Sequence, residues 1–211
     1  MTAIDYSDVK KQMVATRYRV EQNETRLAGI AACKLAGLGT RAVECYAGSG
    51  GLTEVYKQHF VEVINNDLNP ESVAQYNFKA IDFVKTIVSK LDKIDMIDFD
   101  CYGCPAFEIQ EFFKDAVRHA PFVLALSDGF GMNLKYSKKE IPIRSRYLIE
   151  GELDTNKIWL RHDLLIDNLL NILSSRSGLQ AAKICSVQTK SKNYVLAAYV
   201  ITKTEKELKG K

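Results

Sequence analysis

From residue 41 onward, short apolar runs alternate with longer stretches in which apolar positions recur every three to four residues. The runs at 41–46, 61–66, 79–82, 95–100 and 122–127 have the length and composition of strands, and the stretches 52–60, 70–77, 84–91 and 106–119 read as helices. Such alternation predicts a parallel sheet with helices on both faces. Ahead of it, residues 20–36 space Leu27, Ile30, Ala31 and Leu35 along one helical face, and Gly37-Leu38-Gly39 ends that helix. Beyond residue 135 the pattern changes. Residues 135–159 are irregular and basic, and residues 162–174 form an amphipathic helix carrying Leu164, Leu165, Leu169 and Leu173, which Gly178 stops. Two β-rich runs follow at 181–187 and 194–201, separated by polar residues, and predict an antiparallel hairpin. The pattern therefore predicts an α/β domain spanning 1–211, with a seven-stranded, mostly parallel sheet closed by a C-terminal antiparallel hairpin. Within it, 1–40 is a helical extension, 41–202 the core and 203–211 a short basic tail.

Composition narrows the class. With 211 residues, 46% hydrophobic and 26% charged, the chain can bury one sizeable core and is not a disordered polymer. A net charge of +3 permits a nucleic-acid partner without demanding one. Five cysteines, an odd number, and no apolar leader predict a reducing, cytoplasmic setting, and no run approaches the roughly 20 apolar residues of a membrane span.

Chemistry gathers at the predicted strand ends. Glu44-Cys45-Tyr46-Ala47-Gly48-Ser49-Gly50-Gly51 lies between a strand and a helix, where glycines let a ligand approach the backbone. Glu54 and Val55 stand where a dinucleotide fingerprint needs its last glycine, and there is no phosphate-loop lysine. The Glu44 carboxylate instead suits a cationic ligand such as S-adenosylmethionine. Asp67, about 20 residues beyond the turn, is placed to grip a ribose diol, and Asp82 at the end of the predicted third strand to accept from an adenine amine. Each acid alone is more often a turn or cap residue. Their regular placement is what points to a site.

The apolar run from Ile94 ends in Asp98-Phe99-Asp100-Cys101-Tyr102-Gly103-Cys104-Pro105, two carboxylates, an aromatic ring and a glycine-proline turn. An exocyclic base amine is a weak nucleophile because its lone pair is delocalised, so a site acting on one must accept its N–H and later its proton. Asp100 is the candidate acceptor, Tyr102 the candidate stacking ring and Asp98, on the same face two residues back, a brace or cofactor contact. A bland alternative is that the acids cap the helix beginning at Pro105. Cys101 and Cys104 have no second pair with which to complete a structural zinc site, no metal is expected, and Cys104 precedes its proline rather than following it, so packing is their expected role.

These residues together resemble the class I S-adenosylmethionine-dependent methyltransferases, a Rossmann-like family. The 98–105 stretch is similar to the D-P-F/Y-G-S-P motif of tRNA guanine-N2 dimethyltransferases. Leu124-Ala125-Leu126-Ser127-Asp128 resembles that family's T-x-T-D, Arg146-Tyr147 its R-K-Y, Asn193-Tyr194-Val195 its H-Y-x-R, and the segment with Asn23 and Arg26 its N-R-D. The resemblance implies cofactor contacts from Arg26, Glu44, Tyr46, Ala47, Gly48, Gly50, Asp67, Leu68, Asp82 and Phe83. It departs at Cys101 and Cys104, which replace a proline and a serine, and at the carboxyl end, where relatives continue into a further tRNA-holding domain.

The expected activity is N-methylation of a base amine, with guanine in RNA first. A DNA amino-methyltransferase and a non-catalytic cofactor-binding subunit stay open beside it. Lys135, Lys138, Lys139, Arg144 and Arg146 are expected to rim the site and contact phosphates, with Phe130, Tyr136 and Tyr147 as stacking surfaces, although a lysine run is equally a solvated loop. Trp159, flanked by Ile158 and Leu160, is expected in the core. A homodimer or helper subunit would supply surface for a large RNA.

Overall fold

The computed structural model describes residues 6–101, 103–131, 143–149, 161–189 and 194–205, with side chains of the first helix from residue 20 onward. Helix α1 (Tyr6–Leu35) leads into β1 (Arg41–Glu44), α2 (Gly51–Lys57) and β2 (Glu62–Asn65). Helix α3 (Ala80–Thr86), β3 (Met96–Asp100), α4 (Ala106–Phe112) and β4 (Phe122–Asp128) follow. The chain closes with α5 (Ile143–Tyr147), α6 (His162–Arg176), β5 (Leu179–Gln188) and β6 (Val195–Lys203).

The described strands form one six-stranded sheet in the order β2-β1-β3-β4-β6-β5. The first four are parallel, and the hairpin of β5 and β6 joins antiparallel to β4, as the alternation and the final β-rich runs predict. One face carries α1 and α2, the latter through Tyr56, over Met96, Val123 and Ala125; the other packs Phe99 and Leu124 under α3, α4 and α6, with Phe112 from α4 and Leu169 from α6. Gly29 makes the close seating of α1 possible, because a Cβ there would stand 3.3 Å from Val123 and 3.4 Å from Met96.

Two expectations are overturned, and the sheet has six strands rather than seven among the described residues. Residues 79–82 are not a strand. Lys79 precedes the first turn of α3, where Ala80, Phe83 and Val84 are buried at helical spacing. Residues 70–77 are not a helix, because side chains there capture the backbone: Asn69 N–H donates to Asp67, Glu71 N–H to Asn69 and Ala74 N–H to Ser72. This segment instead runs beside the edge of the sheet, bridging Tyr76 to Asn66.

Candidate active site at the carboxyl edge of the sheet

Asp98 and Asp100 project from the same face of β3 toward α1, as strand alternation requires. Between them lies Arg26, wholly buried in α1. Its Nη2 donates to Asp98 Oδ1 at 2.8 Å and its Nε to Asp98 Oδ2 at 3.1 Å, a side-on pair that Tyr56 completes by donating its hydroxyl to Oδ2 at 2.6 Å. The remaining guanidinium donors reach the Leu126 carbonyl, Ser127 Oγ and Asp100 Oδ1. Burial alone would make this arginine less basic, but Asp98 and Asp100 more than reverse that and hold it charged.

Asp100 differs from Asp98 in being reachable. Its side chain keeps 14% exposure against none for Asp98. Ser127 Oγ donates to its Oδ1 at 2.5 Å, and Gln22 Nε2 donates to its Oδ2. Strand register explains the first contact, because Asp100 pairs with Ser127 across β3 and β4. Burial pushes the Asp98 carboxyl up, and the neighbouring Arg26 charge pulls it back down.

Glu44 ends β1 next to Asp98 and is 1% exposed. Thr53 donates its hydroxyl to it, and Asn65 in turn donates to Thr53 at 3.2 Å. Burial pushes its carboxyl up to about 8, against the pull of the Thr53 hydrogen bond. Burial thus favours the neutral acid at the position that sequence assigns to a cation. The turn beyond has Gly48 at φ 53° and Gly50 at φ 84°. Gly48, Gly51 and, in the neighbouring motif loop, Gly103 have nothing within 4 Å of where a Cβ would stand, whereas at Gly50 that atom would meet Val73 at 2.4 Å. Asp67 braces the turn, accepting from Gly48 N–H on one oxygen and Asn69 N–H on the other, both at 2.8 Å.

A second buried network lies under the motif loop. Asp128, ending β4, accepts at Oδ1 from Phe130 N–H at 2.9 Å and at Oδ2 from the Tyr147 hydroxyl at 2.7 Å, with His162 Nε2 3.3 Å from Oδ1 and Cys104 Sγ 3.7 Å from Oδ2. Gly129 N–H donates to Gly103 O at 2.7 Å, tying the loop to β4. Burial pushes the Cys101 and Cys104 thiols up, so both stay protonated at neutral pH.

Several sequence-assigned residues thus gather at one edge: Glu44, Tyr46, Ala47, Gly48, Gly50, Asp67, Leu68, Asp98 and Asp100 all lie on β1 to β3 or in the turns that follow them. Others do not. Asp82 is exposed in the first turn of α3, not at a strand end, and Phe83 is completely buried against Tyr76. Arg26 lies beneath the carboxylates rather than on an open surface. Arg144 is exposed, while Arg146 lies over the rings of Phe107 at 4.7 Å and Phe130 at 5.0 Å. Tyr102, Lys135, Lys138, Lys139, Tyr136, Trp159 and Asn193 lie outside the described residues. Sequence reading missed Gln22, Thr53 and Tyr56, whose helical positions carry no local signal, and Asp128 is the acid that stands at a strand end where Asp82 does not.

No protein-family model and no curated protein matches the chain. Among solved structures it is similar to a chain of the E. cuniculi Mtq2-Trm112 complex responsible for methylation of the eRF1 translation termination factor, at 14% identity over 85% of this chain and 95% of that one, with a TM-score of 0.45. It is also similar to the N-methyltransferase NodS from Bradyrhizobium japonicum at 13% identity, covering 88% of this chain and 97% of that one, with a TM-score of 0.44. A third is the 1,6-didemethyltoxoflavin-N1-methyltransferase of Burkholderia thailandensis with bound S-adenosylhomocysteine, at 12% identity over 93% and 86%, TM-score 0.44. At such scores the chemistry of this chain rests on its own residues. No helix of the described residues is long and apolar enough to cross a membrane.

Proposed function

We propose that the chain is an S-adenosylmethionine-dependent methyltransferase acting on an exocyclic amine of a nucleic-acid base, with guanine in RNA as its substrate. The observation that carries this reading is Asp100: a partly exposed carboxylate at the carboxyl end of β3, oriented by Ser127, Gln22 and Arg26, beside a motif loop and a glycine turn that leave open space.

The donor set fits the cofactor. The carboxyl groups of Glu44, Asp98 and Asp100, gathered at one edge, complement a sulfonium and an amino group, and Gly48 and Gly51 leave room that a Cβ would fill. Each Asp67 oxygen already holds one backbone N–H and retains capacity for a ribose hydroxyl. Glu44, Tyr46, Ala47, Gly48, Gly50, Asp67 and Leu68 would hold the group. When bound there, the cofactor supplies an electrophilic methyl.

The chain's own residues do the rest. Asp100 accepts the amine N–H, aims the nitrogen lone pair and takes up a proton. Arg26 and Asp98 fix its position from beneath. Tyr102 stacks on the base, a contact worth about 1–3 kcal/mol. Arg144, with Lys135, Lys138 and Lys139, meets phosphates, and binding therefore weakens with salt.

The test is transfer of label from methyl-labelled cofactor into separate RNA and DNA pools. Wild type labels RNA. Asp100→Asn keeps cofactor affinity but loses about 10²-fold or more of the rate. Label in DNA alone, or in neither pool, overturns the RNA reading, and an Asp100→Asn variant active at the wild-type rate overturns the role of Asp100.

A further inference from the structure

Gln22 stands one helical turn before Arg26 on α1, so the two side chains share the face that meets β3. Arg26 is sealed there, whereas Gln22 is half-buried and reaches the partly exposed Asp100. A carboxylate oxygen only accepts, so the Gln22 atom that meets Asp100 Oδ2 is its amide nitrogen, and the amide oxygen Oε1 stands two bonds away. Gln22 makes no further bond among the described residues, and its Oε1 is not a buried atom: the acceptor is open to solvent.

Asp100 has one oxygen committed and one available. Ser127 and Arg26 both donate to Oδ1, whereas Oδ2 accepts from Gln22 alone and keeps capacity for a second donor. The hydrogen bond between the two side chains therefore holds two open acceptors near each other, Asp100 Oδ2 and Gln22 Oε1. Two neighbouring acceptors fit two neighbouring donors. Of the base amines, that of guanine has a ring N–H beside it, while those of adenine and cytosine have a ring nitrogen that itself accepts. Either of the latter would bring a lone pair against the Gln22 oxygen, and a flipped base is read through this edge.

We propose that Gln22 sets the choice of base: Asp100 Oδ2 accepts an N–H of the guanine amine while Gln22 Oε1 accepts the ring N1–H beside it. This role rests on the base-amine methyltransferase reading above. It makes Gln22 a specificity-determining residue, distinct in effect from Asp100, which serves any amine.

The test uses two short RNA strands that differ at one nucleotide, guanine in one and 2-aminopurine in the other. The second base keeps the amine and replaces the N1–H with a lone pair. Binding to the full chain with S-adenosylhomocysteine present is followed by 2-aminopurine fluorescence and by competition with the guanine strand, and methyl transfer to each strand is measured separately. Wild type should bind the guanine strand about 10- to 100-fold more tightly, and Gln22→Leu, which keeps the bulk, should lower that ratio about tenfold or more. Both strands meet the same protein, so the ratio does not depend on how much of a variant is folded. Discrimination that Gln22→Leu abolishes supports the role of Gln22 even if no label is transferred, a result that would sink the methyltransferase reading alone. The proposal is overturned if wild type binds neither strand or binds both alike, or if Gln22→Leu keeps the wild-type ratio; methyl transfer to the guanine strand in those cases leaves the enzyme reading standing.

Discussion

Replacing Glu44 with glutamine removes a group that binds its proton far more tightly in the folded chain than in the unfolded one. The folded carboxyl sits at about 8 against an ordinary value of 4.5. Its contribution to stability is therefore fully present below about pH 4.5 and is lost as pH rises through about 8. Between pH 6 and pH 9 a single group with these two values costs about 2.5 kcal/mol, since each pH unit between them is worth about 1.4. The amide introduced by Glu44→Gln keeps an acceptor for the Thr53 hydroxyl and cannot ionise. Urea unfolding at both pH values separates the two chains. With a slope of about 2–3 kcal/mol per molar, the wild-type midpoint should fall by roughly 1 M more than that of Glu44→Gln over this range. Equal falls in the two midpoints would refute a protonated, buried Glu44.

Arg26→Met leaves Asp98 buried with Tyr56 as its remaining partner, and should destabilise the chain by about 3–5 kcal/mol in urea titrations. Adding Asp98→Asn to that variant should recover part of the loss, because the unpaired charge disappears with it. Tyr147→Phe removes the hydroxyl between Asp128, His162 and Cys104 while keeping the ring. It should cost about 1–3 kcal/mol by thermal or chemical unfolding.

What the sequence makes legible depends on how local the signal is. Apolar runs that end in an acid place Glu44 and Asp100 at strand ends without any knowledge of the fold. The four residues at 79–82 mislead, because so short a window fits a strand as well as a helix, and only the burial of Ala80, Phe83 and Val84 together reveals the helical period. Residues 70–77 mislead for another reason: Asp67, Asn69 and Ser72 side chains compete for the amides a helix would use. Most of what surrounds Asp98 and Asp100 is not local at all. Ser127 meets Asp100 through strand register, Tyr56 meets Asp98 from across α2, and Gln22 and Arg26 arrive from α1. His162 carries no sequence signal beyond its type, yet it lies within hydrogen-bonding distance of Tyr147 and Asp128.

The seat of Arg26 makes the first helix a condition for assembly rather than an appendage. Its bonds to Asp98 and Ser127 span 72 and 101 residues of chain, so the positive charge reaches them only when the helix is docked on both β3 and β4. A fragment beginning at β1 would carry Asp98 and Asp100 on one face of β3 with no cation between them. Docking of the helix and the setting of Asp100 are thereby coupled, because Gln22 and Arg26 reach that carboxylate only from α1.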